Sequence, residues 1–274
     1  MDYLKKLFNL ENKVAVITGG SGVLGGEMAA GLLGAGVKVI ILGRNKENLN
    51  QKVEKLRKTS RSITGLICDV LDEANLKNVH AQIIEKYQHI DILVNAAGGH
   101  ISQAVIGIDQ NIFDLKIEYF KKVTDLNLNG TVLPTLIFGK SMATQRSGSI
   151  INISSMATQR AITRAVGYSA AKAAVENFTR WMSVEVALKF GNGIRVNAIA
   201  PGFFLTDQNR PILTHTDGSL TERGQTIIDI TPFKRFGEPG ELIGTLLWLA
   251  GDASKFVTGT IIPVDGGFSA FSGV

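Results

Sequence analysis

The chain has 274 residues, 45% of them hydrophobic, with 30 glycines and a formal charge of +5 from 29 basic and 24 acidic side chains. That is length for one large α/β domain or two small ones. The basic residues are scattered, which argues against a nucleic-acid surface, and the single cysteine, Cys68, excludes an intrachain disulfide. No apolar run reaches the roughly 20 residues a membrane span needs, and the opening M-D-Y-L-K-K-L-F-N-L lacks the apolar core of a secretion signal. A cytoplasmic protein with no membrane partner is expected.

Residues 14–18 are a short β-branched run that reads as a buried strand. T-G-G-S-G-V-L-G follows at 18–25, then the helical E-M-A-A-G-L-L-G-A-G. Strand, glycine turn and helix in that order are the context of a dinucleotide-binding fingerprint. Gly19 and Gly22 would let the backbone approach a diphosphate, and Gly25 would let the helix pack close to the strand. The helix N-terminus offers free N–H groups and the positive end of its dipole to phosphate. A glycine-rich turn with no ligand is the competing reading.

Residues 37–43 give a second strand. An acidic residue at its end would bind the adenosine ribose hydroxyls and favour NAD. The chain has Gly43-Arg44-Asn45 instead, so no carboxylate repels a 2′-phosphate and Arg44 is placed to pair with one. NADP is the expected cofactor. NAD is the alternative, if Arg44 is solvated or stacks on adenine.

A helix at 46–58, a third strand at 63–68, a helix at 71–87 and a fourth strand at 90–94 follow. Alternation at this spacing predicts a parallel sheet with helices on both faces, with ligands beyond the carboxyl ends of the strands. Asp69 and Asn95 lie at such ends. Asp69 is placed to accept from an adenine amino group, and Asn95 to brace the strand ends. Residues 99–117 are irregular and expected on the active-site side. His100 is there, but 4 scattered histidines and one cysteine offer no zinc-type spacing, so no metal is expected.

Residues 117–147 read as a long helical stretch with Asn127 and Asn129 in its interior; a backbone-bonded asparagine is the plain reading. The fifth strand, 149–153, runs into Ser154-Ser155. There is no G-x-S-x-G elbow, which argues against a hydrolase nucleophile. In Y-S-A-A-K, Tyr168 and Lys172 share one helix face. A free phenol has a pKa of about 10, and a neighbouring ammonium pulls it down, so the pair is a candidate general acid/base. Chance supplies that spacing often. A sixth strand at 194–200 ends at Pro201-Gly202, a variable stretch fills 203–236, and a helix at 241–250 and a strand at 259–264 close the chain.

T-G-x-x-x-x-x-G, N-A-A-G, the helical asparagine, the strand-end serine, Y-x-x-x-K, then R-V-N-A-I-A-P-G with Thr206 and the ending I-I-P-V-D-G-G occur in one order. Over nearly the whole chain this resembles the classical short-chain dehydrogenases/reductases. The resemblance implies an α/β single-domain Rossmann fold across 1–274, with a seven-stranded doubly wound parallel sheet, helices on both faces and a substrate lid at about 203–236. It implies Tyr168 as proton donor or acceptor and Ser155 as the group holding the substrate oxygen. Lys172 would bind the nicotinamide ribose and lower the Tyr168 pKa, and Asn127 would hold a water linking Lys172 to solvent. It carries cofactor contacts onto Gly19, Ser21, Gly22, Val23, Leu24, Arg44, Asp69, Val70, Asn95, Ala96, Ala97, Gly98, Tyr168, Lys172, Pro201, Gly202 and Thr206. One departure is that the family's middle glycine falls at Val23, whereas this chain has Gly22. A homotetramer is expected, with the apolar C-terminal F-S-A-F-S-G-V a candidate for its packing.

Arg160 and Arg164 lie between Ser155 and Tyr168, where an arginine can hold a carboxylate by two parallel bonds. The chain most resembles the family's sugar-acid branch, the D-mannonate oxidoreductases (fructuronate reductases). That implies a sugar-acid substrate bound by Ser155, Arg164 and Tyr168, with hydride exchanged with a nicotinamide cofactor. Gluconate 5-dehydrogenase, 2-deoxy-gluconate dehydrogenase and 3-oxoacyl-carrier-protein reductase are the competing activities, and a dinucleotide sensor without turnover the competing class.

Overall fold

The computed structural model describes residues 3–206 and 209–274. A short helix, α1 (Tyr3–Leu7), precedes β1 (Val14–Thr18), α2 (Val23–Gly34), β2 (Lys38–Gly43), α3 (Lys46–Arg57), β3 (Ile63–Ile67), α4 (Glu73–Tyr87) and β4 (Ile92–Asn95). Then come α5 (Ile117–Thr124), a π-helical segment (Asp125–Asn129), α6 (Gly130–Gln145), β5 (Gly148–Ile153), α7 (Val166–Phe190) and β6 (Ile194–Pro201). Two short helices, α8 (Arg210–Leu213) and α9 (Glu222–Ile230), lead to α10 (Ile243–Ala250) and β7 (Ile261–Val264).

All seven strands form one sheet in the order β3-β2-β1-β4-β5-β6-β7, and every pairing is parallel. Strands in such a sheet are buried on both faces and read as continuous apolar runs. In β1, Ala15 and Ile17 point into one core with Met28 and Leu32 of α2 and Leu246 of α10. Val14 and Val16 point into the other, with Leu76 and Val79 of α4 and Phe138 of α6. The two-residue period of the strand thus feeds two cores, each fully buried Val, Leu or Ile side chain contributing about 1.5–3 kcal/mol. The sheet is doubly wound. Its order reverses between β1 and β4, and the crevice beyond their carboxyl ends is the expected ligand position of such folds.

Two regions differ from the sequence expectation. The continuous helix expected at 117–147 is broken by the π-helical segment, because the Asn127 side chain turns inward to bond the neighbouring backbone. Residues 207 and 208 of the expected 203–236 lid lie outside the described residues, and the described part carries more regular structure than its composition suggests. Thr214 and Leu220 bridge the ends of a hairpin between α8 and α9, and α9 starts at a Thr221 cap that accepts from the Gly224 N–H. No helix of the described residues is long and apolar enough to cross a membrane.

Candidate active site

The glycine turn after β1 is shaped by backbone contact. Gly19 has φ +65°, and a Cβ there would lie 2.8 Å from Ala96 O and from the Ala97 backbone. A Cβ on Gly25 would lie 2.5 Å from Gly19 O. Gly20, which the motif reading passed over, faces the core, where a Cβ would meet the Ile41 side chain at 2.6 Å. Gly22 is different. It is the exposed N-cap of α2, and a Cβ there would meet only Gly19 O, at 3.3 Å. The turn closes with Gly22 N donating to Gly19 O at 3.0 Å, so Val23 becomes the first residue of α2. The N–H groups of Val23, Leu24 and Gly25 therefore open the helix without intrahelical acceptors.

Around this turn the strand ends interlock. Ala97 N donates to Thr18 Oγ1 at 3.1 Å, tying N-A-A-G to β1. Asn95 is buried and its Nδ2 donates to Thr135 Oγ1 and Asn152 Oδ1, both at 2.8 Å. Its side chain is the expected brace, which leaves its backbone for any cofactor contact. Ser21 Oγ lies against the end of β2, 2.8 Å from where a Cβ on Gly43 would sit. Arg44 Nη1 is 3.9 Å from Asp69 Oδ2, both side chains largely exposed, a pairing worth about 0–1 kcal/mol that an incoming anion can displace. Val70 is buried beside Gly130. On the other side of the crevice, Pro201 ends β6, Gly202 N donates to Val264 O at 2.9 Å, and Thr206 N donates to Asn209 Oδ1 at 2.8 Å. A narrow glycine cradle facing a helix N-terminus, with an exposed cation at the next strand end, fits a dinucleotide.

Ser155, Tyr168 and Lys172 converge at the carboxyl end of β5. Lys172 is 4% exposed; its Nζ donates to Ile153 O at 2.7 Å and sits 5.7 Å from the Tyr168 ring centroid. Ser155 is buried, its Oγ accepting from Ala157 N at 3.2 Å. A Cβ on Gly98 would fall 2.6 Å from Asn127 Oδ1 and 3.2 Å from Lys172 Nζ, so N-A-A-G closes over the same point. Burial pushes the Lys172 ammonium down to about 8. Burial also pushes the Tyr168 phenol up, with the Ser155 hydroxyl pulling it back. Burial is thus the largest influence on the phenol in the ligand-free site, which opposes the depression expected from Lys172, and the phenol is protonated at neutral pH.

Asn127 is backbone-bonded, in line with its plain reading. Its Nδ2 donates to Gly99 O and Val123 O, at 2.9 and 2.8 Å, and its Oδ1 accepts from Gly99 N at 2.9 Å. The side chain clamps the loop after β4, and the Asn127 backbone carbonyl accepts from Thr131 Oγ1.

The arginines separate. Arg160 donates to Ser269 O and Phe271 O, at 2.9 and 2.7 Å, and so fastens the C-terminal segment. That segment packs Phe268 into a cluster with Met156, Ala157, Phe203 and Tyr168 of its own chain, so Phe268 is already covered without a second copy. Arg164 adopts φ +74° and its Nε donates to Ile106 O, while Ile106 N donates back to Arg164 O at 3.0 Å. His100 lies with its ring centroid 4.2 Å from that of Tyr168. Partial desolvation and the charges of Lys172 and Arg223 hold its imidazole below the usual range, hence neutral.

Two functional candidates were missed in the sequence. Glu176 is buried on α7 and accepts from Ser154 Oγ at 2.9 Å and Thr158 Oγ1 at 2.5 Å, gripping both sides of Ser155; its Oε2 faces Arg180 at 3.3 Å. Its spacing from Lys172 was the available signal, since positions i and i+4 share a helix face. Arg223 opens α9 against the preference of a helix N-terminus for anions.

Comparison with known proteins agrees with this geometry. The family model described as Enoyl-(Acyl carrier protein) reductase matches residues 21–269. The uncharacterized oxidoreductase UxuB of Bacillus subtilis is 44% identical over 275 residues, covering 97% of this chain and 98% of the relative. The 2-dehydro-3-deoxy-D-gluconate 5-dehydrogenase of Pseudoalteromonas atlantica is 32% identical over 262 residues, covering 95% and 97%. A crystal structure of a proposed D-mannonate oxidoreductase from Haemophilus influenza, with bound NAD, superposes with a TM-score of 0.88 at 40% identity, covering 97% and 98%. The chain belongs to the short-chain dehydrogenase/reductase family, NAD(P)-dependent enzymes acting on CH–OH groups.

Proposed function

We propose that the enzyme interconverts a sugar acid and its keto form, with D-fructuronate and D-mannonate the pair of choice. The observation that carries this is Arg164. Its backbone is held left-handed, a conformation that costs about 1–3 kcal/mol in a non-glycine residue and persists where surroundings enforce it. Its Nε is anchored to Ile106 O four residues before Tyr168, and neither Nη has a partner among the described residues. That end of the guanidinium is available to a carboxylate, which binds it as a planar fork. The proposed D-mannonate oxidoreductase and the 2-dehydro-3-deoxy-D-gluconate 5-dehydrogenase among its relatives act, by their names, on acids of this class.

In this reading the glycine turn, the α2 N-terminus and Arg44 hold the dinucleotide, with NADP preferred to NAD through Arg44. When bound, the cofactor supplies or accepts the hydride. The protein orients the substrate oxygen between Ser155 Oγ and the Tyr168 hydroxyl. Tyr168, protonated at neutral pH, gives its proton to that oxygen as the ketone becomes an alcohol, and takes it back in the reverse direction. Lys172 holds the ribose and refills the phenol. The 203–236 segment serves as the lid. Trp181, Val184 and Leu188, an exposed apolar stripe on α7, supply a subunit contact of a homotetramer.

The test is a panel of sugar acids and matched neutral polyols with both cofactors, followed by nicotinamide absorbance. Turnover of D-fructuronate or D-mannonate at least tenfold above the neutral partners is expected. Dinucleotide binding without turnover of any sugar acid overturns the reading, and activity confined to 3-oxoacyl thioesters replaces it.

A further inference from the structure

A second guanidinium is seated beside Arg164, against Thr163. Arg223 lies in the first turn of α9, half-buried. Its Nη1 donates to Thr163 Oγ1 at 3.2 Å and its Nη2 to Thr163 O at 3.4 Å, which seats it against the residue before Arg164. It is near enough to Arg164 for that charge, after desolvation, to hold Arg223 below its usual range, and near enough to His100 to lower the imidazole stacked on Tyr168. Like charges this close repel, and neither arginine has an ion-pair partner among the described residues. The α9 N-terminus adds positive potential of its own, and the exposed Glu222 in the same turn makes no ion pair with either arginine among the described residues. The position is fixed, since Gly224 packs where a Cβ would lie 2.1 Å from Leu213 O, locking α9 onto α8. Two guanidiniums are thus seated side by side through Thr163 and Arg164, and an anion between them relieves their repulsion.

We propose that Arg223 and Arg164 form a two-sided clamp for the substrate carboxylate, so that α9 engages the substrate through Arg223. The inference rests on the sugar-acid reading. Arg164, with Nε spent on Ile106 O, presents its two Nη groups; Arg223, with both Nη groups on Thr163, retains Nε–H and the outward Nη hydrogens. A carboxylate has lone pairs enough for both. The neutral His100 beside Tyr168 then faces the hydroxylated part of the substrate, where an uncharged donor and acceptor suits a sugar.

The experiment compares wild type, Arg223→Ala, Arg223→Lys, Arg164→Ala and the double alanine variant. It reads kcat and KM for D-fructuronate, dinucleotide Kd by fluorescence, and Tm. Losing one charged partner of a carboxylate should raise KM in Arg223→Ala by roughly 10- to 100-fold. The cofactor Kd should stay unchanged and kcat within about threefold. Arg223→Lys should fall between, because it keeps the charge and loses the fork. The double variant should lose less than the product of the single effects, as expected of two groups on one ligand. A D-fructuronate KM within threefold of wild type in Arg223→Ala overturns the clamp while leaving the sugar-acid reading intact. A lowered Tm or weakened dinucleotide binding in both Arg223 variants marks a structural role and also overturns it. No wild-type turnover of any sugar acid sinks the reading and the clamp together.

Discussion

The β1–β4 half of the crevice and the β5–β7 half are built by different physics. In the first, the ligand-facing surface is backbone. Gly19, Gly20 and Gly25 sit where a Cβ would strike another main chain or a core side chain within 2.8 Å, and the free N–H groups of α2 face the crevice. In the second, the surface is side chain. Ser155, Tyr168, Lys172, His100, Arg164 and Arg223 come from a strand end, α7, two loops and α9. Their positions are set by hydrogen bonds from neighbours and their charges by burial. A backbone surface serves a ligand that does not vary; a side-chain surface can be retuned without touching the sheet.

The largest expected effect tests the second half. Tyr168→Phe removes only the hydroxyl and should lower kcat by about two to four orders of magnitude, the usual range for a general acid/base, with dinucleotide Kd unchanged. Residual activity above a tenth of wild type would remove Tyr168 from the proton path.

The first half is broken by volume. Gly20→Val places a branched side chain where even a Cβ meets Ile41 at 2.6 Å. It should cost about 1–3 kcal/mol of stability by overpacking and weaken the dinucleotide by displacing the turn. Gly22→Ala, at the exposed cap, should change stability by less than about 1 kcal/mol. Denaturant titration of both variants decides it: equal losses would mean that the turn is not shaped by steric contact.

The same contrast explains what was legible in the sequence. The alternation of β-branched runs and amphipathic segments revealed the doubly wound sheet because each strand must be apolar on both faces. Gly19 and Gly25 were legible from their spacing, but Gly20 was not, since its obligation is to Ile41, a partner 21 positions away. Y-x-x-x-K announced Tyr168 and Lys172, yet not the balance of their pKa values, because desolvation depends on everything packed around them. A backbone-bonded Asn127 was legible, but not its partner, the Gly99 backbone 28 positions away. Arg160 and Arg164 looked alike; only the fold sends one to the C-terminal segment and the other to Ile106.

Glu176 sharpens the account of how side-chain surfaces are held. Its carboxylate accepts from Ser154 and Thr158, on either side of Ser155. Glu176→Ala leaves the buried Ser154 hydroxyl without its acceptor, at about 1–3 kcal/mol if it stays unpaired, while Thr158 Oγ1 keeps Ser155 O. The Ser155 loop should loosen and kcat fall roughly tenfold, about 1.4 kcal/mol. Glu176→Gln, which keeps one acceptor oxygen, should restore most of it. Dinucleotide Kd should be the same in all three proteins. A Gln variant as impaired as the Ala variant would show that the charge facing Arg180 matters more than the grip on Ser155.

A pH-dependent effect concerns Lys172, the buried cation of the second half. Its folded pKa of about 8 lies below the model-peptide value of 10.5, so the unfolded chain binds more protons between those pH values. By linkage, stability must then rise with pH across that window. Below pH 8 both states are protonated and the fold carries the full cost of a buried ammonium; that cost is relieved as pH rises from 8 toward 10.5. Between pH 7 and pH 9.5 the gain is roughly 2 kcal/mol, or several degrees in Tm for a chain of this size. Lys172→Met should lack it. The variant also loses the bond to Ile153 O, but that loss does not depend on pH, so it shifts the variant's Tm without bending its pH profile. The measurement is the difference in Tm between wild type and variant, ligand-free, at several pH values. A difference that grows in favour of wild type with rising pH places the buried charge on Lys172. Parallel curves would mean that water or a neighbouring group already solvates the ammonium, and the raised Tyr168 pKa would then need another source than a dry site.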